Sequence, residues 1–373
     1  MTKFLLLALF GLGTSSLLAQ QTAHWSTQKA DKLQRLLDKA IDGKQFTGNQ
    51  FAISYQGQIW QGASGDLATD QPFFIASTTK LFTTAIILQL RAEGKLQLTD
   101  SLPQFFTDAE LQGLHVYKGQ DYSRQITIAQ LLAHTSGLPD YFQGKDQNGY
   151  SLEKDLVKGH DQSTDFARVL AINRKQKPHF APGSKGKALY SDTNFQLLGR
   201  IIERLTGDTY GAACERRIIE PLQLKNTWLF TDTADQRMAP LRYKQAPLHI
   251  PQAMASNDCD GGMVATSTDL LVFLQAFFGG RLFPAAYLTE MQDWNRIFYP
   301  MQSGMGMHLF ALPKWMTLGR GFPDLMGHSG LSGTMAYYSP EHQLFIAGTV
   351  NQINQPDRSF RVALKLIGEV LNP

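Results

Sequence analysis

The sequence is poor in the signatures of most cofactor-dependent and nucleotide-dependent enzymes. It holds two cysteines, Cys214 and Cys259, and no Cys-x-x-Cys pair. It has no His-Glu-x-x-His, and its nine histidines form no ligand cluster in the sequence, so a zinc hydrolase is not indicated. A phosphate-cradling Gly-x-x-x-x-Gly-Lys-Ser/Thr loop and a Gly-x-Gly-x-x-Gly turn after a strand are both missing. No Gly-x-Ser-x-Gly elbow occurs, which removes the serine geometry of an α/β-hydrolase. Charge of one sign is also lacking: 35 basic against 32 acidic residues give +3, with no run of either. That is not the footprint of a nucleic-acid binder. No internal repeat is present, and after the N-terminus no apolar run is long enough to cross a bilayer.

What is there begins with a lysine, Lys3, and an apolar segment over residues 4–12, followed by small and polar residues to Ala19. This pattern predicts a signal peptide over residues 1–19, cut after Ala19, and hence a periplasmic or secreted protein. An uncleaved anchor is the alternative, but the segment is short for a span. In an oxidising compartment Cys214 and Cys259 either pair or stay as buried thiols. The 373 residues and an apolar fraction of 43% allow a large core.

One stretch stands out, Phe73-Phe-Ile-Ala-Ser77-Thr-Thr-Lys80-Leu-Phe82. On a helix, residues three apart share a face, so Ser77 and Lys80 can meet. The residues after Lys80, through Leu90, are apolar nearly all round, which predicts a buried helix ending near Gly94. Burial would lower the lysine toward the pKa of a general base, and a helix N-terminus would favour negative charge developing at Ser77. Spacing alone is weak support, because Ser26/Lys29, Ser151/Lys154 and Ser184/Lys187 repeat it. Only the buried-helix context separates Ser77 from these.

Helical periodicity appears at residues 28–41, 126–133, 195–205, 269–278 (capped by Ser267) and 360–371. Strand pairs are predicted around the turns Gln56-Gly57 and Ser339-Pro340. Strands thus cluster toward both chain ends and helices fill the middle. This implies an α+β fold: one antiparallel sheet built from both ends, covered by the terminal helices, with a mainly helical insertion. The expected domain is 20–373, with sheet roughly at 20–75 and 265–373 and helical part at 76–264. The active site would lie between the two parts.

Two further stretches matter by their order. Ala188-Leu-Tyr190-Ser191-Asp192 follows a turn, and Gly327-His328-Ser329-Gly330 leads into the last strand pair. Taken alone, Tyr190 reads equally as a core phenol and His328 as a surface histidine. Ser-x-x-Lys, then Tyr-Ser-Asp, then His-Ser-Gly resembles the three-motif set of the penicillin-recognising serine hydrolases. The branch in question holds class C β-lactamases, D-alanyl-D-alanine carboxypeptidases and β-lactamase-like esterases. Leu131-Leu-Ala-His-Thr-Ser-Gly-Leu-Pro139 and Gly261-Gly-Met-Val-Ala-Thr-Ser267 look like the same family. The resemblance covers nearly everything after residue 28.

The resemblance implies an acylated nucleophile at Ser77, with Lys80 and Tyr190 as proton-transfer groups. A neighbouring lysine would favour the phenolate of Tyr190. It further implies an oxyanion hole from the backbone N–H groups of Ser77 and Leu331, each donor worth about 3–4 kcal/mol in the transition state. His328 and Gly330 fall in the substrate-binding strand, with Gly330 leaving room for substrate. No cofactor or metal is implied.

Two departures are visible. Asp192 stands where the family's pattern has asparagine, and a carboxylate accepts hydrogen bonds but cannot donate them. It would hold Lys80 charged, shift the base role toward Tyr190, weaken β-lactam recognition and favour substrates that present an amine. His328 stands where many relatives carry lysine, and a neutral imidazole is the weaker carboxylate anchor. The expected function is an exported serine hydrolase acting on D-amino-acid peptides, in the manner of a carboxypeptidase, or on small esters. A β-lactamase is one alternative. A catalytically silent binder of cell-wall fragments or a protein partner is the other. Tyr141 is either a cleft residue or a packing residue.

Overall fold

The computed structural model describes residues 25–313 and 321–372. The expected signal peptide lies outside the described residues. An eight-stranded antiparallel sheet runs in the spatial order Asn295–Phe298, Met301–Ser303, His308–Phe310, Leu325–Gly330, Thr334–Ser339, Leu344–Thr349, Gly48–Tyr55 and Gln58–Gly65. The two N-terminal strands are joined through Gln56 and Gly57, both at positive φ (50° and 75°). Two such residues make the tight hairpin turn whose twist suits the flanking strands.

The register Ile53↔Ile346 ties the chain ends into one sheet. The terminal helices Thr27–Asp38 and Arg358–Leu371 cover one face, burying Leu33, Leu37, Leu366 and Ile367 against Phe51, Ile53 and Ile346. The helix Ser267–Phe278 and the helical middle of the chain cover the other face. Residues 52 and 54 of the first strand turn to that side, where Ser54 Oγ accepts from Gln275 Nε2 at 3.1 Å. This is the α+β architecture expected from the pattern of elements.

Two local expectations change. The helix at residue 267 is capped by Thr266, whose Oγ1 accepts from Asp269 N at 3.2 Å. Ser267 is the first helical residue, and its N–H, which has no partner within the helix, donates to Gln50 Oε1 at 2.8 Å. Ser77 lies not in the first turn of an α-helix but in a 3₁₀ turn, Ala76–Thr78, that leads into the α-helix Thr79–Ala92. The preceding strand Phe73–Phe74 pairs with Met263–Ala265, and Ile75 N donates to Met263 O at 3.0 Å. Held there, the chain turns sharply through Ala76 at φ +45°. Positive φ in a residue with a Cβ is a strained state that persists only where its surroundings impose it.

Candidate active site

The helix Thr79–Ala92 buries every residue from Thr79 to Leu88, as its apolar sequence predicts. Lys80 is therefore fully buried, and its ammonium is surrounded by three partners. Nζ lies 3.1 Å from Ser77 Oγ, 2.6 Å from the backbone carbonyl of Asp260 and 2.5 Å from Asp192 Oδ1. Ser77 and Lys80 are thus brought together as the spacing predicts.

Asp192 opens the helix Asp192–Thr206, where a negative side chain meets the positive end of the helix dipole. The turn before it is fixed to the loop 134–140. Ser191 Oγ and Thr193 Oγ1 donate to Pro139 O at 2.9 and 2.8 Å, and Asp192 N donates to Asp140 Oδ1 at 3.2 Å. His134, itself at φ +57°, accepts at Nδ1 from Ser191 N at 3.2 Å. This anchoring brings Tyr190 beside the lysine, with Lys80 Nζ 5.2 Å from the ring centroid.

His328 lies in the strand Leu325–Gly330, and it is buried rather than a surface residue. Its ring centroid is 6.2 Å from that of Tyr190. Gly330 has a second role beside the one expected. A Cβ there would come within 2.3 Å of Ile75 O and 3.0 Å of Ala76 Cβ. The missing side chain lets the strand approach the nucleophile turn, so the room it makes is for backbone as well as for the cavity it lines. Leu331 follows directly and, like Ser77 and Asp192, borders two cavities. The smaller, about 70 Å³, also has Tyr141, Asp260 and Met254 in its wall. The larger, about 530 Å³, also has Tyr190, His308, His328 and Phe298. Ser77 sits where they meet.

Several residues here were not singled out by sequence. Asp260 and Asp140 join Asp192 around the one lysine, and Tyr141 donates to Asp260 Oδ2 at 2.8 Å. Tyr141 therefore serves both as cleft wall and as hydrogen-bond donor. His308 and His134 border Tyr190, with centroids at 5.9 and 4.6 Å. Cys214 and Cys259 are both buried free thiols.

Electrostatics decide between the two expectations for Lys80, in favour of the one that rests on Asp192. Burial opposes the charge on Lys80, but Asp192, backed by Tyr190 and Asp260, raises its pKa above the ordinary value. The resting lysine is an ammonium, not a free base. Burial and Asp192 also raise the Tyr190 phenol, against the opposing pull of Lys80, so the lysine does not make a resting phenolate. Three carboxyl groups around one cation cannot all be charged cheaply. Burial, then Asp192, pushes Asp260 well above the carboxylate range. The same two causes push Asp140 up to about 8, against the N–H groups of Phe142 and Asp192.

The raised Asp140 has a consequence for stability. Its folded pKa exceeds the unfolded value, so between pH about 4 and 8 the folded state holds the extra proton. Stability then falls as pH rises through this window, by on the order of a few kcal/mol. Asp140→Asn keeps an oxygen that accepts both N–H groups and removes the titration. The variant is expected to melt at a higher temperature than the parent at pH 8 and at nearly the same temperature at pH 4. Thermal melts across this range check it, and parallel pH profiles for the two proteins would refute it.

Comparison with known proteins identifies the family of the chain. Residues 33–371 match the family described as Beta-lactamase. The chain is 24% identical to an N-acetylmuramyl-L-alanine amidase of Bacillus subtilis (strain 168), over 90% of this chain and 84% of that protein. It is also 24% identical to a putative D-alanyl-D-alanine carboxypeptidase of Escherichia coli O157:H7, over 82% and 74%. Among solved structures, a D-stereospecific amidohydrolase from Streptomyces sp. superposes with a TM-score of 0.72 at 28% identity, covering 87% of this chain and 95% of the other. With a match running from the first helix to the last, the chain belongs to the Beta-lactamase family and is a serine hydrolase.

Proposed function

We propose that the protein is an exported amidohydrolase that forms an acyl-enzyme on Ser77 and acts on amides or short peptides of D-amino acids bearing a free amine, with small esters as secondary substrates. The observation that carries this reading is the contact of Lys80 Nζ with both Ser77 Oγ (3.1 Å) and Asp192 Oδ1 (2.5 Å) in a site with more carboxyl groups than cations. The D-stereospecific amidohydrolase and the putative carboxypeptidase support the substrate class by similarity. The N-terminal segment supports export.

The free amine follows from the charge balance. Asp192 and Asp260 line the smaller cavity beside Ser77, and a substrate ammonium bound there gives Asp260 a partner beside which it can give up its proton. It also competes with Lys80 for Asp192. Once its counter-ion is shared, the buried ammonium is left with the desolvation that opposes its charge, and its pKa falls. Lys80 then yields its proton to solvent and takes the proton of Ser77 as the hydroxyl attacks the acyl carbon. The oxyanion is held by the N–H groups of Ser77 and Leu331. Tyr190 donates its proton to the leaving amine and is reprotonated from Lys80. Deacylation runs the same relay with water. An amine substrate thus switches on its own base.

The reading is tested with D-phenylalanine amide beside its N-acetyl form. Acetylation removes the ammonium and is expected to lower kcat/KM by at least about a hundredfold, the scale set when a charged group loses its buried partner. Asp192→Asn should shrink that discrimination at least about tenfold and raise turnover of a β-lactam. Equal rates for the two amides would refute the amine site.

A further inference from the structure

The larger cavity contains two side chains that the acyl-transfer scheme leaves unused. His328 and His308 lie on adjacent strands, where His308 pairs with Gly327. Their rings stack with centroids 4.1 Å apart and planes 30° from parallel. Each residue is only 2% exposed. Both nitrogens of His308 and Nε2 of His328 have no hydrogen-bond partner among the described residues. The remaining nitrogen, His328 Nδ1, lies 2.7 Å from Ser329 O. A carbonyl oxygen can only accept, so Nδ1 carries the hydrogen. In a neutral ring Nε2 is then a bare lone pair. Stacking keeps either ring from donating to the other. Burial keeps both rings neutral, and Lys80 adds to this; His308 is pushed down to about 3. Buried ring nitrogens without partners are uncommon, because each forgoes the hydrogen bond it had in water, and His328 Nε2 in particular lacks a donor. A ligand N–H would restore it.

Which part of the substrate lies here follows from Tyr190. The group that protonates the leaving amine must touch it, and Tyr190 lines this cavity and not the smaller one. The leaving group therefore departs past the two imidazoles. We propose that the His308–His328 pair selects the leaving group, accepting an uncharged one that carries an N–H donor, such as a carboxamide, and rejecting one that ends in a carboxylate. This rests on the acyl-enzyme reading above. A carboxylate only accepts, so at His328 Nε2 it would face a lone pair with no proton between them. Among the described residues, the cation bordering this cavity is Arg361, which is exposed and paired with Asp357 at 3.0 Å. The site thus fits release of an amide-capped residue better than release of a free C-terminal amino acid.

The test compares D-Ala-D-Ala-amide with D-Ala-D-Ala on the purified protein, with phenyl acetate as a third substrate. The wild type is expected to favour the carboxamide by at least about tenfold in kcat/KM. His328→Lys replaces the lone pair with a cation and should move the ratio toward the carboxylate by at least about tenfold. His308→Leu should lower carboxamide turnover relative to phenyl acetate by at least about fivefold. A wild type that handles the two peptides equally, or prefers the carboxylate, overturns the proposal, and this needs no variant to fold. Phenyl acetate turnover that survives Ser77→Ala would instead overturn the acyl-enzyme reading on which it rests.

Discussion

Ser77→Ala is expected to lower hydrolysis of every substrate by at least about 10⁴-fold, with the fall in kcat rather than KM. The reason is geometric. Ser77 Oγ is the hydroxyl that lies 3.1 Å from Lys80 Nζ and borders both cavities. Without it the remaining groups can bind substrate and polarise its carbonyl, but no covalent intermediate forms. Folding should be nearly unaffected, since the substitution removes one oxygen from a turn held by backbone contacts at Ile75 and by the strand Met263–Ala265. Initial rates with D-phenylalanine amide and phenyl acetate, beside melting temperatures, check both halves. A variant that keeps more than about a hundredth of the parental kcat would show that chemistry lies elsewhere.

Lys80→Met is expected to cost both activity and stability. Loss of the proton relay should lower kcat by about 10²–10⁴-fold. Methionine fills a similar volume, but it leaves Asp192, 9% exposed at its side chain, without its cation. It also strips the donor from the Asp260 carbonyl. Removing one member of a buried ion pair typically destabilises by about 3–5 kcal/mol. The double variant Lys80→Met/Asp192→Asn discriminates the two effects. It should recover much of the stability, since an amide needs no counter-ion, and none of the activity. Chemical denaturation of the parent, both single variants and the double variant gives the coupling energy directly. Additive losses would mean that the 2.5 Å pair contributes nothing specific.

Ser77 and Lys80 were legible because their relation is local. Three residues on one turn bring them together whatever the rest of the chain does. The sheet was legible for a similar reason: its central strands carry long alternating or continuous apolar runs, and their hairpins announce themselves at Gln56-Gly57. Tyr190 and His328 were found through the order of three motifs, since nothing in their own surroundings marks them. Asp260 escaped because it reaches Lys80 across 180 residues and sits one position before a stretch otherwise recognised by its glycines. His308 escaped because Met307-His-Leu-Phe310 reads as an ordinary alternating strand. Only the pairing of His308 with Gly327 places its ring on His328. The strand Met263–Ala265, three residues long, is too short for any periodicity. Its role in holding the nucleophile turn exists only in the pairing with Phe73–Phe74.

The charges of the site were the least legible part. The spacing of Ser77 and Lys80 points to a desolvated, basic lysine. Asp192, read in the sequence as the residue that would hold Lys80 charged, reverses that sign, and the support it gets from Asp260 and Tyr190 is a tertiary fact. The outcome is a resting site in which Asp192 holds Lys80 as an ammonium.

The central claim is that Ser77 becomes covalently acylated. Intact-protein mass spectrometry after incubation with an activated ester of a D-amino acid, quenched in acid, tests it directly. The expected spectrum shows one acyl group added to the parent, mapped by digestion to the peptide that carries Ser77, and no addition in Ser77→Ala. Turnover of the ester with no adduct at any quench time, or an adduct that persists in Ser77→Ala, would contradict the account.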